Sequence, residues 1–323
     1  MKKILKGMLG ATMLSFTVCT TAIAATWPEK ALKIVVPYAP GGNTDTVGRI
    51  LADGLSKELG QAVVVENRPG ATALIGTNFV ADSPADGYTY LLNTISLIMS
   101  PHIFNSIKGD LHSKFEPVSQ ISSISKILVV NPSFPAKNIA EFLAVAKQAE
   151  KPLSYGTTGV GSSNHLMGEL FAMNTGIEFM HVPYGSSSPA INDLIAKEID
   201  FIFEDLPPVS QFILGNRLKA LMVASEEKNS LFPNVPSAVE EGFDWLIVEP
   251  WNGVLAPKGT PTTIIDAMDA AIRKVVQSPE YKERMANMGA LAVYKNSADY
   301  ALFIQQEYDR WGEVVRKAGI PKQ

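Results

Sequence analysis

Ile34-Val35-Val36-Pro37-Tyr38-Ala39-Pro40-Gly41-Gly42-Asn43-Thr44-Asp45 runs from a short β-branched stretch, through a turn of small residues and proline, into a helical pattern. The same design returns at Leu153-Ser154-Tyr155-Gly156-Thr157-Thr158-Gly159-Val160-Gly161-Ser162-Ser163-Asn164-His165. Small residues let the main chain approach a ligand closely. The first turn of the helix that follows adds unsatisfied N–H groups and a partial positive charge, which suits an anion. Two such loops predict that one anion is gripped from both sides.

Around the first loop, short β-branched runs alternate with helical patterns. Ala31 to Pro37 reads as a strand, Thr44 to Leu59 as a helix with apolar Val47, Ile50, Leu51 and Leu55, and Ala62 to Glu66 as a second strand. A turn at Asn67 to Gly70, a helix from Ala73 to Ala81 and a strand from Thr89 to Asn93 complete a βαβαβ unit with a parallel sheet. Ligands of such sheets bind beyond the carboxyl ends of the strands, where Pro40 to Asp45 and Thr94-Ile95-Ser96 fall. After a less regular stretch, Ile127 to Val130 opens a second series that repeats the plan through Ala224. The tail is mostly helical, from Thr262 to Gln277 and Ser297 to Lys317, and is expected to pack on the first unit. The expected division is residues 25–122 with 252–323 as lobe I and 123–251 as lobe II, with chain crossings near Ser119 to Ser125 and Ile247 to Gly253.

The first residues read as a secretory signal, 1–24. Lys2, Lys3 and Lys6 precede an apolar run from Met8 to Val18, then Ala22-Ile23-Ala24 offers a small-x-small cleavage site. The run is too short for a span of about 20 residues. Cys19, the only cysteine, leaves with the signal, so the mature chain would hold no disulfide, thiol nucleophile or Cys-ligated metal. Loss of the three lysines leaves 25 basic against 32 acidic residues, a formal charge of −7 in place of −4. That balance opposes nucleic acid or an anionic membrane as partner. It leaves a small anion open, because clustered N–H dipoles dominate the potential inside a cleft.

The chain resembles the Bug-type solute-binding receptors of tripartite tricarboxylate transporters. Val36 to Gly42 with Asp45, Val65-Glu66-Asn67-Arg68-Pro69-Gly70, Asp86-Gly87-Tyr88, Gly161 to Leu166, Val182-Pro183-Tyr184-Gly185-Ser186 and Leu255 to Pro261 carry the resemblance across nearly the whole mature chain. It implies an α/β type II periplasmic-binding-protein fold in which two lobes close on a small ligand in the periplasm. The ligand would be an organic carboxylate (a di- or tricarboxylate, an acidic amino acid or an aromatic acid), delivered to the membrane permease of the transporter. A monomer without cofactor or metal is expected, and a periplasmic ligand sensor is the alternative. Matched residue by residue, the carboxylate grip falls on Tyr38, Pro40, Gly41, Gly42 and Asn43 in one lobe and Gly161, Ser162 and Ser163 in the other.

Several further residues have two readings. Asp45 either caps local amides at its helix start or contacts ligand. Asn43 adds a donor or tolerates a left-handed turn. Glu204 and Asp205 stand where many relatives of this kind have Asp-Asn. If both faced the cleft they would oppose a second ligand carboxylate and favour an amine or hydroxyl, and otherwise one caps a turn and the other is solvated. Thr94, Ser96, His165, Tyr184, Gly185 and Ser186 complete the candidate binding set, with Trp251 as a possible wall or hinge brace. Arg68 reads as a loop brace rather than a ligand clamp. A secreted hydrolase lacks its motif, since Gly159-Val160-Gly161-Ser162-Ser163 is not G-x-S-x-G, and no histidine pair has metal-ligand spacing.

Overall fold

The computed structural model describes residues 27–71, 73–105, 107, 109–160, 162–317, 319 and 322. The expected signal segment and Gly161 lie outside the described residues. The first half comprises β1 (Leu32–Val36), α1 (Asn43–Leu59), β2 (Val63–Asn67), α2 (Leu74–Ala81), β3 (Thr89–Thr94), α3 (Ser96–Ile103), β4 (Phe115–Ser123), β5 (Lys126–Val130), α4 (Ile139–Gln148) and β6 (Leu153–Thr157). The second comprises α5 (Ser163–Thr175), β7 (Phe179–Pro183), α6 (Ser187–Ala196), β8 (Phe201–Asp205), α7 (Leu206–Leu214), β9 (Lys219–Ala224), β10 (Trp251–Pro257), α8 (Thr262–Gln277), α9 (Pro279–Asn287), β11 (Leu291–Lys295) and α10 (Ser297–Lys317).

These elements form two α/β lobes, each with its own sheet. One sheet has the order β11-β4-β10-β3-β1-β2 and the other β7-β6-β8-β5-β9. Leaving β11 aside, the orders correspond strand for strand. In each, three parallel neighbours are followed by one antiparallel strand that arrives from the other lobe, β10 in the first sheet and β5 in the second. The chain crosses at Ile124-Ser125 between β4 and β5, and returns between β9 and β10. Backbone and side chains tie the crossings together: Ile124 N–H donates to Pro250 O at 2.8 Å, and the Ser123 hydroxyl donates to a Glu249 carboxylate oxygen at 2.5 Å.

The central strands β3, β5, β8 and β10 are buried on both faces because helices cover both. Leu32, Ile34 and Val36 pack with the layer of α1, α8 and α9, while Val35 faces the opposite layer with α3 and α10. That second cluster does not stop at the lobe boundary. It continues through Trp251 and Leu246 to Leu128, Phe142, Phe171 and Phe201, so the lobes share a packed apolar spine.

The stretch read as irregular holds α3 and the nine-residue β4. Pro101 lies inside α3, and β4 buries Ser119, Gln120, Ser122 and Ser123 rather than alternating with apolar residues. Burial is tolerable where a hydroxyl is paired: Ser119 with Asp269, Ser122 with Asn252 and Ser123 with Glu249. In α7, which the sequence reading did not include, Pro207-Pro208 occupies the first helical turn, where a missing N–H costs nothing.

Candidate functional site

The first loop is held from beneath by Asp45. One carboxylate oxygen accepts the Gly41 N–H at 2.8 Å and Arg49 Nε at 3.0 Å, and the other accepts Asn67 Nδ2 at 2.8 Å. Burial alone would raise its pKa, but the Arg49, Gly41 and Asn67 hydrogen bonds outweigh it and hold the carboxyl below the usual range. The aspartate is therefore an internal brace with its oxygens committed, and it takes the Gly41 amide out of the supply available to a ligand. Gly41 has φ +82°, a conformation that favours glycine. Gly42 then caps α1 with no side-chain hydrogen bond, so the first-turn amides keep no side-chain partner from the cap. Arg68 pairs with Glu66 and lies over the Phe79 ring at 3.6 Å, a bracing position.

Tyr38 lines the cleft, and its hydroxyl bonds to Asn93, Thr94 and Ser96 at the β3–α3 junction. Burial pushes this phenol's pKa up, with Ser96 and Thr94 partly offsetting. In lobe II, Ser162 caps α5 by accepting the His165 N–H at 3.2 Å, and Ser163 follows on the cleft wall. His165 is turned into the lobe, stacked on His181 with ring centroids 4.1 Å apart and close to Glu169. Burial lowers both imidazoles to about 4; for His181 the neighbouring ring's charge adds to it. The Tyr184 hydroxyl donates to Asp193 at 2.7 Å. None of His165, Tyr184, Gly185 and Ser186 lines the cavity described next.

That cavity, of about 260 Å³, lies between the lobes. Lobe I lines it with Tyr38, Gly42, Asn43, Thr44, Thr94 and Ile95, lobe II with Ser163 and Asp205, and the crossings with Ile124, Pro250, Trp251 and Asn252. Six of the residues expected from sequence thus converge: Tyr38, Gly42, Asn43, Thr94, Ser163 and Asp205. Three of the lining residues also carry buried polar atoms without a hydrogen-bond partner, Asn43 Oδ1, Asn252 Oδ1 and Trp251 Nε1. All three atoms are buried behind the cavity surface rather than exposed on it. A larger groove of about 540 Å³, lined by Leu170, Trp245, Arg310 and Val314 among others, opens on neither glycine loop.

The acid pair divides. Glu204 is buried, held by Asn164 Nδ2 at 3.2 Å and the Asp205 N–H at 2.9 Å, and its pKa is raised by burial and by the Asp205 charge, with Lys126 partly offsetting. It does not reach the cavity wall; Asp205 does. Lys126, fully buried at the start of β5, donates to Asp205 at 2.6 Å and to Asn164 at 2.7 Å. Neither Lys126 nor Asn252 was singled out from sequence. The available signal for Lys126 was a lone cation opening the apolar run Ile127 to Val130, with two acids waiting on another strand. Among the described residues no group of three His, Cys, Asp or Glu is arranged to hold a metal.

Comparison with known proteins agrees with this architecture. Residues 47–320 match the family described as tripartite tricarboxylate transporter family receptor, TctC. The chain is 34% identical to Protein BugT of Bordetella pertussis over 98% of its own length and 97% of that protein. It superposes on R. palustris Rpa4515 with adipate at TM-score 0.79 and 29% identity, covering 92% of this chain and all of the other. MatC from Rhodopseudomonas palustris with bound malate gives 0.74 and 27%, over 90% of this chain and all of that one. A two-lobed α/β fold, a cavity lined from both lobes and a family match across most of the chain lead to one conclusion: this protein belongs to the TctC family and is a Bug-type periplasmic solute-binding receptor of the tripartite tricarboxylate transporters.

Proposed function

We propose that the protein captures a small organic carboxylate between its lobes in the periplasm and delivers it to the membrane permease of a tripartite tricarboxylate transporter. The observation that carries this reading is the cavity bounded by the N-terminal turns of α1 and α5, one from each lobe. Two neighbours in structure hold such acids, adipate in one and malate in the other. The grip is made of neutral donors, the amides of Gly42, Asn43, Thr44 and Ser163, together with Gly161 by resemblance, while the Ser162 amide is already given to Gly159 O at 3.2 Å.

Each hydrogen bond to a charged group contributes roughly 1.5–3 kcal/mol. Four or five of them offset the cost of association and leave the ~8 kcal/mol of a micromolar complex. Capture requires no chemistry on the guest, so the bound acid should be recovered unchanged. Calorimetric titration of ligand-stripped protein with a panel of mono-, di- and tricarboxylates and amino acids tests the reading. Gly42→Val is the informative variant, because a Cβ there meets only Ala39 O at 3.6 Å and the fold should persist. The variant is expected to lose at least tenfold in carboxylate affinity, and unchanged affinity would remove loop one from the grip. Delivery is tested by uptake of the bound acid in cells with and without the receptor, where equal uptake would point to a sensory role.

A further inference from the structure

The lobe II wall of the cavity has an unusual charge arrangement, with Asp205 joined through Lys126 to Asn164 in the first turn of α5. Among the described lining residues Asp205 is the only formally charged side chain; arginine, lysine and histidine are absent from the wall. Its Oδ1 accepts Lys126 at 2.6 Å, and Oδ2 has no hydrogen-bond partner among the described residues. The Lys126 side chain is fully buried behind the wall and divided between Asp205 and Asn164, so it steadies the aspartate without reaching a guest. The helix that begins here cannot act as a third anion site. Its first turn is Pro207-Pro208, which lack N–H groups, the Leu206 N–H is given to Ser125 O, and the Asp205 N–H to Glu204.

A second ligand carboxylate at this end would face an acidic oxygen with no free cation and no free helix amide. A donor would instead complete the open valence of Asp205. Resting on the carboxylate-capture reading, we propose that the ligand carries a single carboxylate, held by α1 and α5, and a separate hydrogen-bond donor, ammonium before hydroxyl, that docks on Asp205. Asp205 is the specificity-determining contact. Lys126 is a positioning residue that fixes the orientation of its carboxylate.

Matched straight-chain acids of three to six carbons, ending in ammonium, hydroxyl, carboxylate or methyl, test this by calorimetry on the ligand-stripped protein. At the preferred length the amino acid is expected to bind at least tenfold more tightly than the diacid, with the hydroxy acid between them. Asp205→Asn should cost the amino acid at least tenfold and leave the methyl-terminated acid within about twofold. A diacid that binds as well as or better than its amino partner overturns the inference while leaving carboxylate capture intact. So does an amino-acid advantage that survives Asp205→Asn. Failure of every member, the methyl-terminated acids included, overturns the capture reading and the inference together. The wild-type ranking needs no variant to fold, and Lys126→Gln combined with Asp205→Asn removes the buried cation should the single substitution unfold the protein.

Discussion

At the scale of single residues, two kinds of position behave oppositely despite similar appearance in sequence. Gly42 and Gly253 are both glycines near the cleft, but a Cβ on Gly253 would lie 1.9 Å from the Tyr300 hydroxyl, inside a wall closed by Trp251 packed edge-on against Tyr300 at 5.6 Å. Gly253→Ala is expected to destabilise by about 1–3 kcal/mol through overpacking, visible as a lower urea midpoint, whereas Gly42→Val should not move that midpoint. Asp45 is the counterpart among charged residues. Replacing it with alanine strands the Gly41 amide, Arg49 and Asn67 together. The expected loss is about 1–3 kcal/mol of stability, together with weaker carboxylate binding because Gly41 is no longer held at positive φ. An Asp45→Ala protein with wild-type stability and affinity would show that the brace is dispensable. Its sequence context allowed both cap and ligand contact, and the decision came from Asn67 on β2, which no local pattern reveals.

At the scale of elements, legibility followed how local the governing interaction is. The amphipathic pattern of α10 was read from Ser297 to Lys317, the bounds observed, and α1 to within one residue of its start. The polar strand β4 and the proline-led α7 were missed because cross-sheet hydroxyl pairing and helix-start geometry override local propensity. The β6–α5–β7 unit holds a further device. Thr157 Oγ1 bonds to His181 Nε2 at 2.6 Å and accepts the Gly159 N–H at 3.2 Å, so the imidazole stack buttresses the second loop. With both histidines at about 4 in the fold and about 6.5 unfolded, the unfolded chain binds more protons between those values. Stability contributed by this pair is therefore complete above about pH 6.5 and falls as pH drops toward 4. Glu204 works in the other direction, since its raised pKa makes the ionised form unfavourable in the fold and protonation relieves it. Urea midpoints at pH 7, 5.5 and 4.5 should decline, and His181→Gln should flatten that decline; an equally steep profile in the variant would assign it elsewhere.

At the scale of the whole molecule, the cleft has walls from different lobes and a rear that is packed as one apolar cluster, so a guest links two bodies already joined at the back. Ligand at a hundredfold excess over Kd should raise unfolding free energy by about 2.7 kcal/mol. The rise should appear in a single thermal transition; two transitions of which only one responds would mean that only one lobe holds the ligand. The fold class and the correspondence of the two halves were determined by the sequence alone, because strand and helix periodicity, glycine and proline chemistry and helix starts act over a few neighbouring residues. Which polar groups line the cavity was decided only by tertiary structure. Lys126 finds Asp205 at a separation of 79 residues, Glu204 turns inward to Asn164 at 40, and Asn252 arrives from the second crossing beside Ser122 at 130. The direction of a buried polar side chain depends on partners that only folding brings within hydrogen-bond reach, and no local pattern encodes them.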